Sequence, residues 1–212
     1  CIRDRHCISK GIMYEYLTKL KTQENFIPKK ILDIGAWNGF WTKNVKKIWP
    51  DAHYTCIEAG PKHEQKLKKL TSDYHIAVLG NAKKEVKMYL REIDKGHRKK
   101  VTYTKGATLF GIFKDYEVRQ MQTLTELVGN NAQYDLIKQD VQGAEIMIMD
   151  GAKNVFKRAK YVIQEVNLEK DPKFPDMPSV SEMDRYMFNL GFMNNHVIDS
   201  KNNSGQIDKI YF

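Results

Sequence analysis

Four acids stand where short apolar runs come to an end: Asp33 among Ile31, Leu32 and Ile34, Glu58 after Tyr54–Ile57, Asp140 after residues 134–139, and Glu165 within residues 161–166. Runs of this kind read as strands buried on both faces of a parallel sheet. In such sheets, ligands bind outside the carboxyl ends of the strands. Carboxylates placed there accept hydrogen bonds from sugar hydroxyls, meet a cationic group, or take the proton of a hydroxyl nucleophile. Asp33 leads into a turn bracketed by Gly35 and Gly39, with Ala36 and Trp37 between them, and a helix is predicted over residues 40–48 with Phe40, Val45 and Ile48 as its apolar positions. Glycines let backbone approach a ligand, and the helix start offers unpaired N–H groups. The Asp-x-Gly-x-x-x-Gly spacing departs from the Gly-x-Gly-x-x-Gly of dinucleotide sites and suits a ligand without phosphate. Glu58, roughly 20 residues beyond the turn, is placed to bind both hydroxyls of a ribose. Strand alternation puts Lys138 and Asp140 on one face. Pairing there either keeps Asp140 ionised or simply locks the strand-to-helix turn.

These residues need a frame, and the chain supplies strands alternating with helices. A leading helix is predicted over residues 8–21, within a segment closed by Pro28. After the second strand, a Lys-rich helix spans 62–70 and a third strand 75–79, with Ala77 inside it. Residues 82–122 read as an antiparallel insertion, with strands at 86–91, 101–104 and 118–121 around the basic loop 95–100. Thr123 is placed to cap a short helix over 124–128 with Glu126 near its start. The strand ending at Asp140 turns through Val141–Glu145 into a helix carrying Ile146, Met149 and Val155. A proline-rich loop at 169–178 reads as a lid, and a helix over 180–190 stops at Gly191. Residues 192–198 and 207–212 close the chain as a hairpin. The expectation is one α/β domain over residues 1–212, doubly wound and Rossmann-like, with a small β insertion and a C-terminal antiparallel hairpin.

Composition narrows the classes. At 212 residues and 42% hydrophobic, with no uncharged run near ~18 residues, a membrane-spanning segment is not expected. The opening Cys1–His6 lacks the basic-then-apolar layout of a signal peptide. Three cysteines (Cys1, Cys7, Cys56) form no even framework and no C-x-x-C pair, so a reducing, cytoplasmic setting is expected. His53, His63, His75 and His97 lack i,i+4 partners, which gives no support for a metal site, and His196 reads as structural. The net charge of +9 admits an anionic or nucleic-acid partner, although lysines 62, 66, 68 and 69 read as a solvated face.

Several segments carry a resemblance to the FkbM-type family of class I, S-adenosyl-L-methionine-dependent methyltransferases. Asp33-Ile34-Gly35-Ala36 is similar to the family's Asp-x-Gly-Ala, Ile57–Pro61 to its Phe-Glu-Pro segment, Ala77–Asn81 to Ala-x-x-Gly-Asp, and Thr123–Leu127 to Thr-Leu-Asp-x-Leu. Leu136–Glu145 resembles Leu-Lys-x-Asp-x-Glu-Gly-x-Glu and is the most specific part; Gly151-Ala152 and Gln164–Val166 continue it. The resemblance spans about residues 30–166. Trp37, Ala59-Gly60 and Gln142 depart from it, the last replacing an acid.

The resemblance implies an O-methyltransferase (EC 2.1.1 type) acting on a hydroxyl of a small molecule or saccharide. By the same resemblance, Asp33, Gly35, Ala36, Trp37, Gly39, Glu58, Ala59, Ala77 and Asp140 contact the cofactor. Asp140 and Glu165 are the alternative bases, with Lys138 beside them. Trp37, Phe40 and Trp41 are candidates to pack on adenosine, the last two reading more readily as core. Methylation of RNA or its cap is the alternative, and a non-catalytic nucleic-acid-binding module on the same fold is a third.

Overall fold

The computed structural model describes residues 5–94, 100–109, 115–170, 178–201 and 205–212. In chain order the elements are α1 (Arg5–Gln23), β1 (Lys30–Ile34), α2 (Phe40–Ile48), β2 (His53–Glu58), a 3-10 turn at Pro61–His63 running into α3 (Glu64–Lys68), β3 (Asp73–Ile76), β4 (Val78–Gly80), β5 (Lys84–Asp94), β6 (Lys100–Thr108), β7 (Tyr116–Thr123), α4 (Leu124–Val128), β8 (Leu136–Gln139), α5 (Glu145–Asp150), α6 (Lys153–Lys157), β9 (Tyr161–Asn167), α7 (Val180–Leu190), β10 (Asn195–Lys201) and β11 (Gln206–Tyr211).

Seven strands form the main sheet in the order β10-β11-β9-β8-β1-β2-β3. Strands β1, β2, β3, β8 and β9 run parallel, and β11 runs antiparallel to both β9 and β10. The expected terminal hairpin therefore inserts one reversed strand into a parallel sheet. Side chains alternate between faces along each strand, so the uninterrupted apolar runs serve two cores. Leu32, Ile34, Ile137 and Val162 face Ile148, Met149, Phe156, Met183 and Met187 of the helices after β8. Ile31, Leu136, Ile163 and Ile210 face Leu17 and Leu20 of α1 and Trp41 and Val45 of α2. Full burial of one such side chain is worth about 1.5–3 kcal/mol, so each helix is pinned through a few residues.

Four expectations change. The predicted strand over 75–79 is two strands: β3 pairs with β2 as far as Ile76, Ala77 N donates to Glu58 O at 2.9 Å, and Val78 then pairs with Met121 in another sheet. That second sheet, β4-β7-β5-β6, is the insertion, antiparallel between β5 and its two neighbours but parallel between β4 and β7. Phe40 is 42% exposed, because the buried face of α2 is set by Trp41, Thr42 and Val45. The helix predicted through Val155 breaks between α5 and α6 at Gly151 and Ala152. Residues 95–99 of the basic loop, including His97, and residues 171–177 of the predicted lid lie outside the described residues.

Candidate functional site

The glycine turn joins the ends of three strands. Gly35 N and Ala36 N both donate to Ile57 O of β2, at 2.9 and 3.0 Å, and Asp140 N donates to Ile34 O of β1 at 3.0 Å. Gly35 has φ +78°, and a Cβ there would lie 2.0 Å from the carbonyl oxygen of Asp140. Both the left-handed backbone and this approach require glycine. Trp37 follows at φ +50°, which aims its N–H at Glu58 Oε2, 2.7 Å away. The other carboxylate oxygen accepts from Gly60 N at 2.7 Å. Burial pushes the Glu58 carboxyl above its ordinary range, and the two backbone donors pull against it.

Of the predicted cofactor-binding residues, Trp37 bonds that carboxylate directly, and Ala36, Ala59 and Ala77 lie along the end of β2 that carries it. Ala36 is buried, Ala59 gives its carbonyl to Arg119 Nη2 at 3.1 Å, and Ala77 lies beside the end of β2. The Trp37 ring meets His63 edge to face at 5.9 Å between centroids. Burial, with Lys62 and Lys66 nearby, lowers that imidazole to about 4, so it is neutral at pH 7. Gly39 starts α2 at φ +75°. Trp41 is core, its Nε1 pointing at Met13 Sδ, while Phe40 stands on the surface.

Beneath the turn lies a charge cluster, buried at Asp33 and Lys138 and half-buried at Asp140. Lys138 of β8 sits opposite Asp33 of β1 in the ladder. Its Nζ lies 3.1 Å from Asp140 Oδ2 and 3.7 Å from Asp33 Oδ1. The predicted Lys138–Asp140 pair is thus present, with Asp33 as a partner that the spacing did not indicate. Thr42 Oγ1 donates to Asp33 Oδ2 at 2.6 Å, and Asp33 is closed off from solvent. Burial raises the Asp33 carboxyl, opposed by Lys138 and Thr42. For Lys138 itself, burial works against the ammonium. The carboxylates of Asp140 and Asp33 outweigh it and hold Lys138 above its ordinary value.

On the far side of Asp140 the chain turns at Gln142 (φ +59°) and Gly143 (φ +106°). Gln142 Nε2 donates to Glu165 Oε2 at 2.8 Å and lies 3.3 Å from Asp140 Oδ1, bridging the two predicted bases. Glu145, quoted above only as part of a motif, shapes this loop. Its carboxylate folds back from the start of α5 to accept Val141 N at 3.1 Å, while Gln139 Nε2 holds its carbonyl. Burial pushes Glu145 up to about 7, against backbone donors at Glu145, Gly143 and Val141. An acid in a helix's first turn, just after a glycine, was the available signal. A small pocket of about 10 Å³, room for about one water, is lined by Gln142, Gly143, Glu145, Glu165, Asn167 and Gln206 among others.

Away from this region, His53 and His75 both bind Asp73, and His196 stacks on Tyr16. Among the described residues no group of His, Cys, Asp or Glu is arranged to hold a metal, and no helix is long and apolar enough to cross a membrane.

A parallel sheet with one reversed strand second from its edge, a glycine turn after β1 and an acid ending β2 together define a class I methyltransferase fold. Three solved structures share it: the methyltransferase FkbM of Methylobacillus flagellatus KT (TM-score 0.57, 10% identity, 92% of this chain and 47% of that one), a putative O-methyltransferase from Klebsiella pneumoniae (0.53, 11%, 96% and 79%), and the O-methyltransferase TomG from Streptomyces achromogenes in complex with SAM (0.53, 11%, 95% and 78%). The chain spans about half the length of the first. No curated protein matches. The methyltransferase FkbM domain matches residues 33–193, most of the chain, and the protein belongs to that family.

Proposed function

We propose that the protein is an S-adenosyl-L-methionine-dependent methyltransferase that methylates a hydroxyl group of a small molecule or saccharide. The observation that carries this reading is the family match over residues 33–193, laid on a site where Glu58 stands fixed at the end of β2. The donor set fits the cofactor. Glu58 is oriented by Trp37 N and Gly60 N and would receive the ribose hydroxyls. The Gly35 turn would keep side-chain bulk away from the methionine half, and Trp37 and Ala77 would hold the adenosine half. Asp33 contributes from below, holding Lys138 and Thr42 under the turn. When bound, the cofactor supplies an electrophilic methyl group on a sulfonium. The protein's own part is to align an acceptor oxygen with that carbon and to remove its proton at one of the two strand-end carboxylates.

Calorimetric titration with S-adenosylhomocysteine tests the reading. Wild type is expected to bind saturably, and Glu58→Ala to bind at least tenfold more weakly, about 1.4 kcal/mol. Absence of binding by wild type overturns it.

A further inference from the structure

We propose that Arg119 of β7 is the positioning residue that sets Glu58, which makes the inserted sheet part of the cofactor site. The proposal rests on the methyltransferase reading above, in which Glu58 receives the ribose hydroxyls.

Glu58 is clamped through the peptide group that joins Ala59 to Gly60. The N–H of that group, on Gly60, donates to Glu58 Oε1 at 2.7 Å. Its carbonyl, on Ala59, accepts from Arg119 Nη2 at 3.1 Å. A peptide group is planar, with its N–H and C=O pointing opposite ways. A donor that fixes the carbonyl therefore also fixes where the N–H points. The guanidinium adds to this, since a cation on the carbonyl polarises the group and strengthens its N–H as a donor. Neither Ala59 nor Gly60 restrains its own backbone closely, and glycine does so least. The restraint has to come from outside the turn.

The neighbouring carbonyls are held by backbone: Glu58 O accepts from Ala77 N at 2.9 Å, and Gly60 O from His63 N at 3.1 Å. Ala59 O, between them, is held by a side chain of the insertion. Strand alternation puts Glu117, Arg119 and Met121 on one face of β7, opposite Met88, Val86 and Lys84 of β5. Met88 and Met121 are buried there with Val78, and Ala59 and Val86 pack against them. The insertion thus holds Ala59 twice, by its methyl group in that apolar cluster and by its carbonyl at Arg119. Glu117 Oε2 lies 3.5 Å from Arg119 Nη1 and steadies the other arm of the guanidinium. The guanidinium donors form a rigid planar fork, so one held arm directs the other.

Amide exchange and ligand binding together test the role. By NMR on the ligand-free full chain, Arg119→Met is expected to speed exchange of the Gly60 N–H at least about tenfold, the scale of one lost hydrogen bond to a charged group. Gly35 N and Ala36 N, which donate to Ile57 O, are the controls and are expected to keep their rates. Arg119→Lys keeps a cationic donor without the fork and is expected to fall between wild type and Arg119→Met. In calorimetry with S-adenosylhomocysteine, Arg119→Met is expected to weaken binding at least about threefold, yet to add less than about twofold to the loss in Glu58→Ala, because its effect passes through that carboxylate. Losses that multiply in the double variant, or a Gly60 exchange rate that does not move, overturn the assignment. If Arg119→Met does not fold, the same two outcomes are read on Arg119→Lys. Wild type that binds no S-adenosylhomocysteine sinks the methyltransferase reading instead, and Gly60 exchange still decides whether Arg119 sets the peptide.

Discussion

Glu145 shows how a single buried carboxyl couples the shape of the site to pH. Its folded value of about 7 lies above the ordinary 4.5 because burial outweighs the backbone donors that favour its anion. Between those two pH values the folded chain keeps a proton that the unfolded chain has released. Stability therefore declines as pH rises through this window and levels off above it. The full effect is on the order of 3 kcal/mol. Glu145→Gln removes the titration while keeping an acceptor for Val141 N. In urea unfolding, wild type is expected to lose stability relative to this variant between pH 5 and pH 8, and a constant difference would rule the coupling out. Lys138 marks what residue types alone convey. Alternation placed it on the face of Asp140, because two positions of one strand encode that locally. Its second partner, Asp33, comes from the register of β1 against β8, strands about a hundred residues apart, and no local pattern carries that register. The bridge by Gln142 was hidden in the same way, since it depends on a left-handed turn at a residue that is not glycine.

At the scale of elements, boundaries were readable where capping chemistry marks them. Helix α7 begins after Ser179, whose side chain takes Glu182 N while the Glu182 carboxylate takes Ser179 N at 2.8 Å, and it ends at Gly191 with φ +107°. The Ser179 N–H is the chief reason the Glu182 carboxyl sits down at about 2. Ser179→Ala leaves that N–H in place and strips the hydroxyl from the cap. It is expected to cost about 1 kcal/mol, a fall of about 2–4 °C in Tm for a chain of this size, read by differential scanning calorimetry. No change would mean that the β9 bridge at Ser179, rather than the cap, fixes this helix end. Elements were misread where tertiary pairing overrode pattern. Residues 75–79 look like one apolar strand, yet the chain divides them between two sheets at Ala77, because β4 finds β7 and not β2. Periodicity likewise gave Phe40 to the core, and the packing of Trp41 on Met13 decided otherwise.

For the molecule as a whole, the sequence carries +9, while the candidate site gathers Asp33, Asp140 and Glu58 near Lys138 and ties Glu165 to Asp140 through Gln142. Charge outside the site and charge inside it thus have opposite signs, and a ligand reports which of them governs binding. S-adenosylhomocysteine has no phosphate and nearly balanced charge, so its grip should come from short-range hydrogen bonds that salt hardly screens. Bound across the ends of β1, β2, β8 and β9, it would tie strands from both halves of the chain and raise global stability by mass action. At a hundredfold excess over Kd that is about 2.7 kcal/mol, or roughly 5–10 °C in Tm for a chain of this length. The rise is expected to be nearly the same at about 50 and 200 mM salt, and to shrink in Glu58→Ala. A ligand held instead by charge contacts on the basic surface would weaken across that salt range as those contacts are screened. A rise in Tm that vanishes with salt would therefore move the ligand site away from the strand ends and onto the lysine-rich exterior.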